Sequence, residues 1–500
     1  MAYPPGYQHL TLEDFLTLSA HTPKVMVFRE IPALTLEVLD IMSALQSAFD
    51  IDGMVFEARQ DKGDSHSWIA FDAMATFERR LDHGMLNASE KMSELRQLMN
   101  VFSCAAPTNR VDFRGGAMGF MSYDAVRFRE EIPDRHPNAS DVPEIYFNFY
   151  RIHIHLDNQK SKITIYVMTV IQGSPEDTYH KAMAEIDRLV AKLQNAQKDM
   201  PKDICALSQK RASAVAFVAE DDDPDFMAKI ERAKAHITQG DAFQIVLSRC
   251  FKGQTTATPL DIYGVLRSIS PMPYLFYCTY KGRVFLGASP EQLINVHHGV
   301  ASVTPIAGTR PCLNPKDRPF IAEQLLHDEK ECAEHMMLVD LARNDLGRVC
   351  KPGSIHVKEL LNVHHYSHVS HIVSCVEGKL QDDKDALDAL CAAFPAGTLS
   401  GAPKIRAMEI IDALETSRRG LYGGGICRIT ADGDLETCIA IRMVELEPNP
   451  SDAHQFSATI RTGAGIVYDS DPQAEADETR HKARALFEAI HRAEQMKTEA

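Results

Sequence analysis

The stretch IHIHLDNQKSKITIYVMTV, residues 152–170, shows the fold class most directly. Two runs rich in β-branched residues flank the polar pair Asp157-Asn158, which is the pattern of a β-hairpin. Strands then recur in pairs between long helical stretches, without regular βαβ alternation, so we expect an α+β fold rather than a parallel doubly wound sheet. The later segments with strand composition are Phe243–Leu247, Tyr274–Tyr280, Arg283–Leu286, Gly424–Thr430, Thr437–Val444 and Gln455–Thr462.

A polar connection near residues 195–225 divides the chain. It ends at the acidic run Glu220–Asp223, which suits the first turn of a helix. Few motifs precede this connection, whereas almost every chemically distinctive stretch follows it. We therefore predict an N-terminal region of residues 1–220 and a second domain, residues 221–500, that carries the chemistry.

Charge and cysteine content limit the classes of protein to which the chain can belong. Its 500 residues carry a formal net charge of −16, which argues against a nucleic-acid or anionic-membrane surface because either needs clustered Lys and Arg. The eleven Cys residues are scattered without a C-x-x-C pair, which favours free thiols in a reducing compartment. No secretory signal is evident, and no stretch approaches the roughly 18–20 apolar residues of a membrane span. We expect a cytoplasmic protein without nucleic-acid or membrane partners.

Two pairs of glutamates have the same helical spacing. Residues 325–347 read as one helix with Gly347 as its C-cap, and Glu331 and Glu334 project from one face of it. A solvated acidic face is the simpler interpretation of this pair.

The second pair, Glu475 and Glu478, follows Asp471 as a helix N-cap, and Glu478 can also pair with Lys482. Two helices that each present an E-x-x-E face suit a hard cation bound by oxygens. Mg²⁺ fits best if a substrate carboxylate completes its coordination shell.

Three glycine-rich stretches read as turns. GTLSGAPK (397–404) opens a helix, where free backbone N–H groups can bind an anion. GAGIVY (463–468) begins like a dinucleotide motif but has Tyr468 at the third glycine position, and YGGG is at 422–425. Each can simply punctuate a strand. Together with Arg442 they favour a small carboxylated ligand over a nucleotide.

The segment VHHYSHVSHIVSCV contains His364, His365, His368 and His371. In a strand, His371 shares a face with Val369 and Val373, which makes a core histidine the simpler interpretation. The spacings match no zinc pattern.

At this point the sequence resembles the chorismate-utilising enzymes, and within them the component I chains of anthranilate synthase. The matching pieces run in one order from about residue 240 to 490: GASPEQL, TPIAGTRP, AEHMMLVDLARNDLGRV, YSHVSHIVS, PAGTLSGAPKIRAMEIID, LYGGGICRI, DLETCIAIR and RTGAGIVYDSDPQAEADET. The resemblance implies a fold of large antiparallel β-sheets packed as a sandwich with helices on the outside. It also implies conversion of chorismate and ammonia to anthranilate and pyruvate, in tryptophan biosynthesis.

The resemblance assigns roles that the residues alone leave open. Glu334 and Glu478 are the implied Mg²⁺ ligands, with Glu331 and Glu475 beside them. Glu291 is the implied acid for the departing C4 hydroxyl, and His371 is the implied residue for the later elimination. Thr398 lines the catalytic site. The implied chorismate-binding set is Gly308, Thr309, Tyr422, Arg442, Gly463, Ala464 and Gly465.

Two positions separate the relatives within this family. Ala307 stands where aminodeoxychorismate synthases carry a lysine, and Gln244 stands where isochorismate and salicylate synthases carry one. Lacking both amines, the chain resembles an enzyme for free ammonia. The alternatives are a synthase that releases 2-amino-2-deoxyisochorismate or one that forms 4-amino-4-deoxychorismate. Outside the family, they are a nucleotide-dependent transferase and a non-catalytic chorismate-binding regulator.

Ammonia requires a source. The nearest match to a glutaminase nucleophile elbow, Gly425-Ile426-Cys427-Arg428-Ile429, lacks the final glycine and lies in a predicted strand. We therefore expect a separate glutamine amidotransferase subunit as partner in a hetero-oligomer.

The resemblance also implies feedback inhibition by L-tryptophan, a regulatory and partner-contacting role for residues 1–220, and a chorismate-binding catalytic domain at residues 221–500. The segments of this chain that correspond to the family's regulatory segments are Leu16-Thr17-Leu18-Ser19 and Pro273-Tyr274-Leu275. Ser19, Pro273, Tyr274 and Leu275 are the expected regulatory residues, although the residues that flank them differ from the family pattern.

Overall fold

The computed structural model describes residues 7–33, 36–59, 65–81, 88–107, 113–138, 141–199, 215–312, 314–365 and 369–499. The strands within these ranges are β1 Lys24–Pro32, β2 Met54–Ala58, β3 His66–Arg79, β4 Gly116–Met121, β5 Ile145–Asp157, β6 Lys162–Val170, β7 Val218–Ala219, β8 Gln244–Thr255, β9 Tyr274–Tyr280, β10 Arg283–Ser289, β11 Asn295–His297, β12 Val300–Val303, β13 Ile306–Pro311, β14 His356–His365, β15 Val369–Lys379, β16 Gly401–Ala402, β17 Gly425–Thr430, β18 Leu435–Ile439, β19 Met443–Asn449 and β20 Asp452–Ile466. The helices are α1 Leu12–Ser19, α2 Val38–Ala44, α3 Gln46–Asp52, α4 Ala88–Val101, α5 Pro175–Asp199, α6 Asp223–Thr238, α7 Pro259–Ile269, α8 Arg318–His327, α9 Glu329–Gly347, α10 Ala386–Ala393, α11 Lys404–Leu414 and α12 Pro472–Glu499.

Antiparallel pairing connects most of these strands into two series of neighbouring strands, called arms below, which meet at β5. One arm has the order β1–β6–β5–β3–β2–β9–β10–β19–β20–β8. The other leaves β5 and has the order β4–β17–β18–β11–β12–β15, with β13 and β14 also paired to β15. The predicted hairpin is confirmed, because β5 and β6 pair from Ile152↔Val167 to Asp157↔Lys162.

Aromatic side chains show that two sheet layers face each other. Phe120 of β4 packs against Phe285 of β10 with ring centroids 5.6 Å apart, and Tyr146 of β5 packs against Tyr280 of β9 at 4.9 Å. These strands are not hydrogen-bonded neighbours, so the contacts are made across a sandwich. Helices α5, α7 and α12 pack against strands of the first arm. The predicted α+β sandwich is confirmed.

Strands from the two predicted regions pair with each other. β2 pairs with β9, and β4 pairs with β17. The division into residues 1–220 and 221–500 stays a prediction. No helix among the described residues is long and apolar enough to cross a membrane.

The prediction of one helix over residues 325–347 is wrong. Asp328 adopts an extended conformation, ends α8 and caps α9 by accepting a hydrogen bond from the Glu331 N–H at 3.2 Å. An N-cap carboxylate stabilises a new helix start at this position. Gly347 is the last helical residue, and Arg348 rather than Gly347 is the C-cap.

Two further predictions, one of a strand and one of a turn, are also corrected. The segment Thr437–Val444 is not continuous, because β18 ends at Ile439 and Arg442 has φ = +50° before β19 begins. The stretch GAGIVY, expected as a turn, lies mainly within β20. Its Gly463 faces β8 so closely that a Cβ there would be 2.6 Å from the Leu247 carbonyl oxygen, which explains the glycine without a turn.

Candidate active site

Most of the predicted site residues line one cleft of about 250 Å³. Seven of the ten predicted catalytic and substrate-binding residues line it: Glu291, His371, Thr398, Tyr422, Arg442, Gly463 and Gly465. The other three lie next to these lining residues along the strands. Gly308 and Thr309 lie in β13 beside His371, and Ala464 is buried in β20 between the two glycines.

Glu291 is the acidic group of the cleft. Its backbone carbonyl accepts a hydrogen bond from the Ile439 N–H at 2.9 Å, which fixes it beside β18. The Thr398 hydroxyl donates to its Oε1 at 3.0 Å. Burial raises the pKa of Glu291 to about 7, against the opposing effects of the Thr398 hydrogen bond and the Lys482 charge. A large fraction of Glu291 therefore carries a proton near neutral pH.

His371 lies on β15, as predicted for a strand residue, and is only half-buried. Its Nδ1 is 3.3 Å from the Gly308 carbonyl oxygen. A carbonyl oxygen can only accept, so Nδ1 donates and Nε2 is the basic nitrogen. Burial lowers the pKa of His371, as does the charge of Arg442, while the bond to Gly308 opposes them. The imidazole is therefore neutral near pH 7. His368 lies outside the described residues.

The break between β18 and β19 places Arg442 in the cleft. Its left-handed backbone is uncommon for a residue with a Cβ, and such conformations concentrate at functional sites. Its Nη1 donates to the Lys482 carbonyl oxygen at 3.5 Å. Burial lowers the pKa of Arg442, while Tyr422 and Glu478 oppose that effect. A guanidinium remains charged despite such a shift, so the cleft offers a fixed cation.

Lys482 is a cleft residue that the sequence reasoning missed. Its Nζ donates to the Gly463 carbonyl oxygen at 2.8 Å and pairs with Glu478 Oε1 at 2.6 Å. It supplies a second cation next to Arg442. The available signal was its position four residues after Glu478 on one helix face, which was interpreted only as an ion pair.

The four glutamates lie on α9 and α12. Burial raises the pKa of Glu331, as do Glu334 and Asp328. Burial also raises the pKa of Glu475, assisted by Glu478 and opposed by Ser470. The charge of Lys330 on α9 lowers the pKa of Glu475 on α12, so the two helices are close enough for their charges to interact.

No three of these carboxylates converge to within 4.8 Å among the residues described. Among the described residues, the side chains with potential metal-binding atoms this close together are those of His297, His298 and Asp434, which do not line the cleft. Mg²⁺ binding by Glu334 and Glu478 stays a prediction.

The two positions that separate the relatives lie at the cleft. Ala307 lines it. Gln244 lies beside Gly465, since a Cβ on that glycine would be 2.8 Å from Gln244 Nε2. Neither position supplies an amine to the cleft.

The expected tryptophan residues lie at the end of helix α1 and at the start of strand β9. The Ser19 hydroxyl donates to the Leu16 carbonyl oxygen at 2.8 Å, and α1 packs against β1 and α5. Tyr274 and Leu275 begin β9 and pair with Ala58 and Glu57 of β2. Strands β6, β5, β3 and β2 separate β1 from β9 in the first arm. Pro273 precedes β9, and its carbonyl oxygen accepts the Arg59 N–H at 2.6 Å.

Cys427, in the nearest match to a nucleophile elbow, lies in β17 and is fully buried. Burial raises the pKa of its thiol far above the ordinary range. A glutaminase nucleophile needs the opposite, an accessible and easily ionised thiol.

Comparison with known proteins shows the family of the chain. Residues 54–488 match the family described as chorismate binding enzyme. The anthranilate synthase component 1 of Acetivibrio thermocellus is 40% identical over 80% of each chain, and that of Bacillus caldotenax is 36% identical over 96% of this chain and 97% of its own.

Solved structures give the same result for the fold. The anthranilate synthase component I of Streptococcus pneumoniae TIGR4 superposes with a TM-score of 0.69 at 33% identity, covering 86% of this chain and 93% of its own. The menaquinone-specific isochorismate synthase of Escherichia coli shares the fold at 20% identity, with a TM-score of 0.69 over 96% and 98% of the two chains.

The chain belongs to the chorismate binding enzyme family. Within that family it groups with the anthranilate synthase component 1 proteins.

Proposed function

We propose that this chain converts chorismate and ammonia to anthranilate and pyruvate. One observation carries the proposal: the acid Glu291, bonded by Thr398, lies in the same cleft as the neutral base His371 and the cations Arg442 and Lys482. The names of the relatives supply the reaction, and the cleft supplies groups for both of its halves.

The first half-reaction adds ammonia at C2 of the ring while the C4 hydroxyl leaves. A hydroxyl is a poor leaving group unless it is protonated as it departs. Glu291 has a pKa of about 7 and so carries the required proton near neutral pH. Thr398 holds the carboxyl by donating to Oε1. Arg442 and Lys482 bind and orient the substrate carboxylates, Arg442 in a bidentate manner.

The second half-reaction removes the C2 proton and releases pyruvate. With Nδ1 directed at the Gly308 carbonyl oxygen, His371 presents Nε2 as the proton acceptor. Burial keeps the ring neutral and able to accept. Positioned acid–base catalysis of this kind contributes roughly 10²–10⁴-fold.

Mg²⁺ is the proposed cofactor, and the acidic residues fit it. The charge of Glu334 raises the pKa of Glu331, and the charge of Glu478 raises the pKa of Glu475. A divalent cation relieves such crowding of negative charge. Glu334 and Glu478 would hold the ion, with Glu331 and Glu475 beside it. When bound, Mg²⁺ neutralises and orients a substrate carboxylate and keeps several waters.

A glutamine amidotransferase subunit is the proposed source of ammonia. The component 1 names of the relatives imply a second component, and the buried Cys427 supports the same inference. We also propose inhibition by tryptophan at Ser19, Pro273, Tyr274 and Leu275, and a cytoplasmic location.

A turnover assay tests the function. Purified chain is incubated with chorismate, Mg²⁺ and ammonium, and anthranilate is followed by its fluorescence. We expect anthranilate from the wild type and a loss of about 10²–10⁴-fold in Glu291→Gln. Release of an aminodeoxychorismate instead of anthranilate would contradict the proposal and identify one of the two alternative synthases.

A further inference from the structure

A buried ion pair joins the ends of three helices. Lys404, the first residue of α11, places Nζ 3.2 and 3.3 Å from the two carboxylate oxygens of Asp345 near the end of α9. The same ammonium donates to the carbonyl oxygen of Ala393, the last residue of α10, at 3.4 Å. The two charged side chains are only 13% and 8% exposed. One cation therefore connects α9, α10 and α11.

The segment between α10 and α11 carries Thr398, the hydrogen-bond partner of Glu291. Its turn, Gly397–Leu399, lies directly on α9. A Cβ on Gly397 would be 2.0 Å from Leu341 Cδ2, so the backbone of the turn packs directly against this side chain of α9. The turn rests on α9 at Gly397 and is fixed to it again by Lys404.

We propose that Lys404 and Asp345 are positioning residues: their ion pair holds the Thr398 turn against α9 and so keeps Glu291 in place relative to the Glu331–Glu334 pair. This inference rests on the proposed function. Neither member of the pair lines the cleft, so both act through Thr398.

Stability alone does not account for the pair. A buried ion pair is often no more stabilising than two apolar side chains of similar volume. Here the pair fixes the relative positions of the helices, because the ammonium on α11 bonds three oxygens on two other helices. A displacement of about 1 Å at a reacting group can reduce turnover about 10²-fold, so the placement of Thr398 matters to the rate.

The double variant Lys404→Met/Asp345→Leu tests the proposal, because it removes both charges and leaves neither one unpaired. With ammonium as substrate, we expect kcat to fall about tenfold or more. The KM for chorismate should change less than about threefold, since Arg442 and Lys482 remain. Hydrogen exchange measured by mass spectrometry should become faster at residues 397–403.

A matched control removes an ion pair far from this turn. Arg151 of β5 bonds both carboxylate oxygens of Glu185 on α5, at 2.7 and 2.6 Å. Arg151→Met/Glu185→Leu should leave both kcat and the exchange at residues 397–403 unchanged. Asp345→Asn, which keeps the shape of the side chain, is measured in parallel in case the double variant fails to fold.

Unchanged exchange at residues 397–403 would show that the pair does not hold the turn, and unchanged kcat would show that its placement does not serve the reaction. Either result overturns the proposal. The exchange measurement needs no substrate. If the wild type forms no anthranilate, the proposed function fails, and exchange still decides whether the pair holds the turn.

Discussion

The Thr398 hydroxyl lies 3.0 Å from Glu291 Oε1 and donates a hydrogen bond to it. The two residues are more than a hundred positions apart in the sequence, one after β10 and the other between α10 and α11. Burial raises the pKa of the proposed acid, and this contact opposes that effect because it stabilises the carboxylate.

Thr398→Val should move the alkaline limb of the pH profile. The proposed acid must be protonated, so kcat/KM falls as pH rises through the pKa of Glu291, about 7. Removing the donor raises that pKa, and the limb should shift to higher pH. Thr238→Val, at an exposed hydroxyl that donates to the Lys234 carbonyl oxygen, is the control. A limb that stays in place in Thr398→Val would contradict the role given to this bond.

The acidic pairs predict a metal requirement. Glu334→Gln or Glu478→Gln should reduce turnover by about 10²-fold or more at limiting Mg²⁺, with partial recovery at high Mg²⁺. Glu488→Gln, on the same helix α12 but paired with Arg492, should behave like the wild type. Wild-type activity of either site variant at limiting Mg²⁺ would remove the metal assignment.

The source of ammonia predicts a difference between two substrates. Ammonium should support anthranilate formation by the isolated chain, whereas glutamine should do so only after a glutaminase subunit is added. The reason is the buried thiol of Cys427. Cys427→Ser serves as the control and should leave glutamine-driven turnover of the reconstituted pair intact. Glutamine-driven turnover by the rigorously purified chain alone would refute the prediction.

Tryptophan should inhibit, with Ser19 and Tyr274 both contributing to its site. Tyr274 begins β9 beside β2, whereas Ser19 ends α1, which packs on β1. Tyr274→Ala and Ser19→Ala should each weaken inhibition, measured as the tryptophan concentration for half-inhibition. Calorimetry without tryptophan binding at millimolar concentration would remove the regulatory proposal altogether.

Motifs predicted the cleft well because its residues stand in long, ordered stretches of sequence. Glu291, His371 and Arg442 were assigned by resemblance, and all three line one cavity. Local pattern also predicted the β5–β6 hairpin, where strand composition and turn residues agree.

The failures occurred where tertiary contacts decide the structure. Helical periodicity continues through Asp328, but its cap hydrogen bond starts a new helix there. Strand composition continues through Arg442, but its backbone turns to a positive φ. The sequence showed Lys482 only as the partner of Glu478 on the same helix face. Its second partner, the Gly463 carbonyl oxygen, lies on a strand, where helical spacing gives no information about it.

The central claim is that Glu291 serves the amination and His371 serves the elimination within one cleft. Chromatography of the products of His371→Met tests it most directly. Removing the base should slow loss of the C2 proton by roughly 10²–10⁴-fold while the amination continues. We predict that chorismate is consumed and 2-amino-2-deoxyisochorismate accumulates, with little anthranilate. Equal loss of chorismate consumption and anthranilate formation, with no accumulated intermediate, would contradict the account and leave His371 as a packing residue.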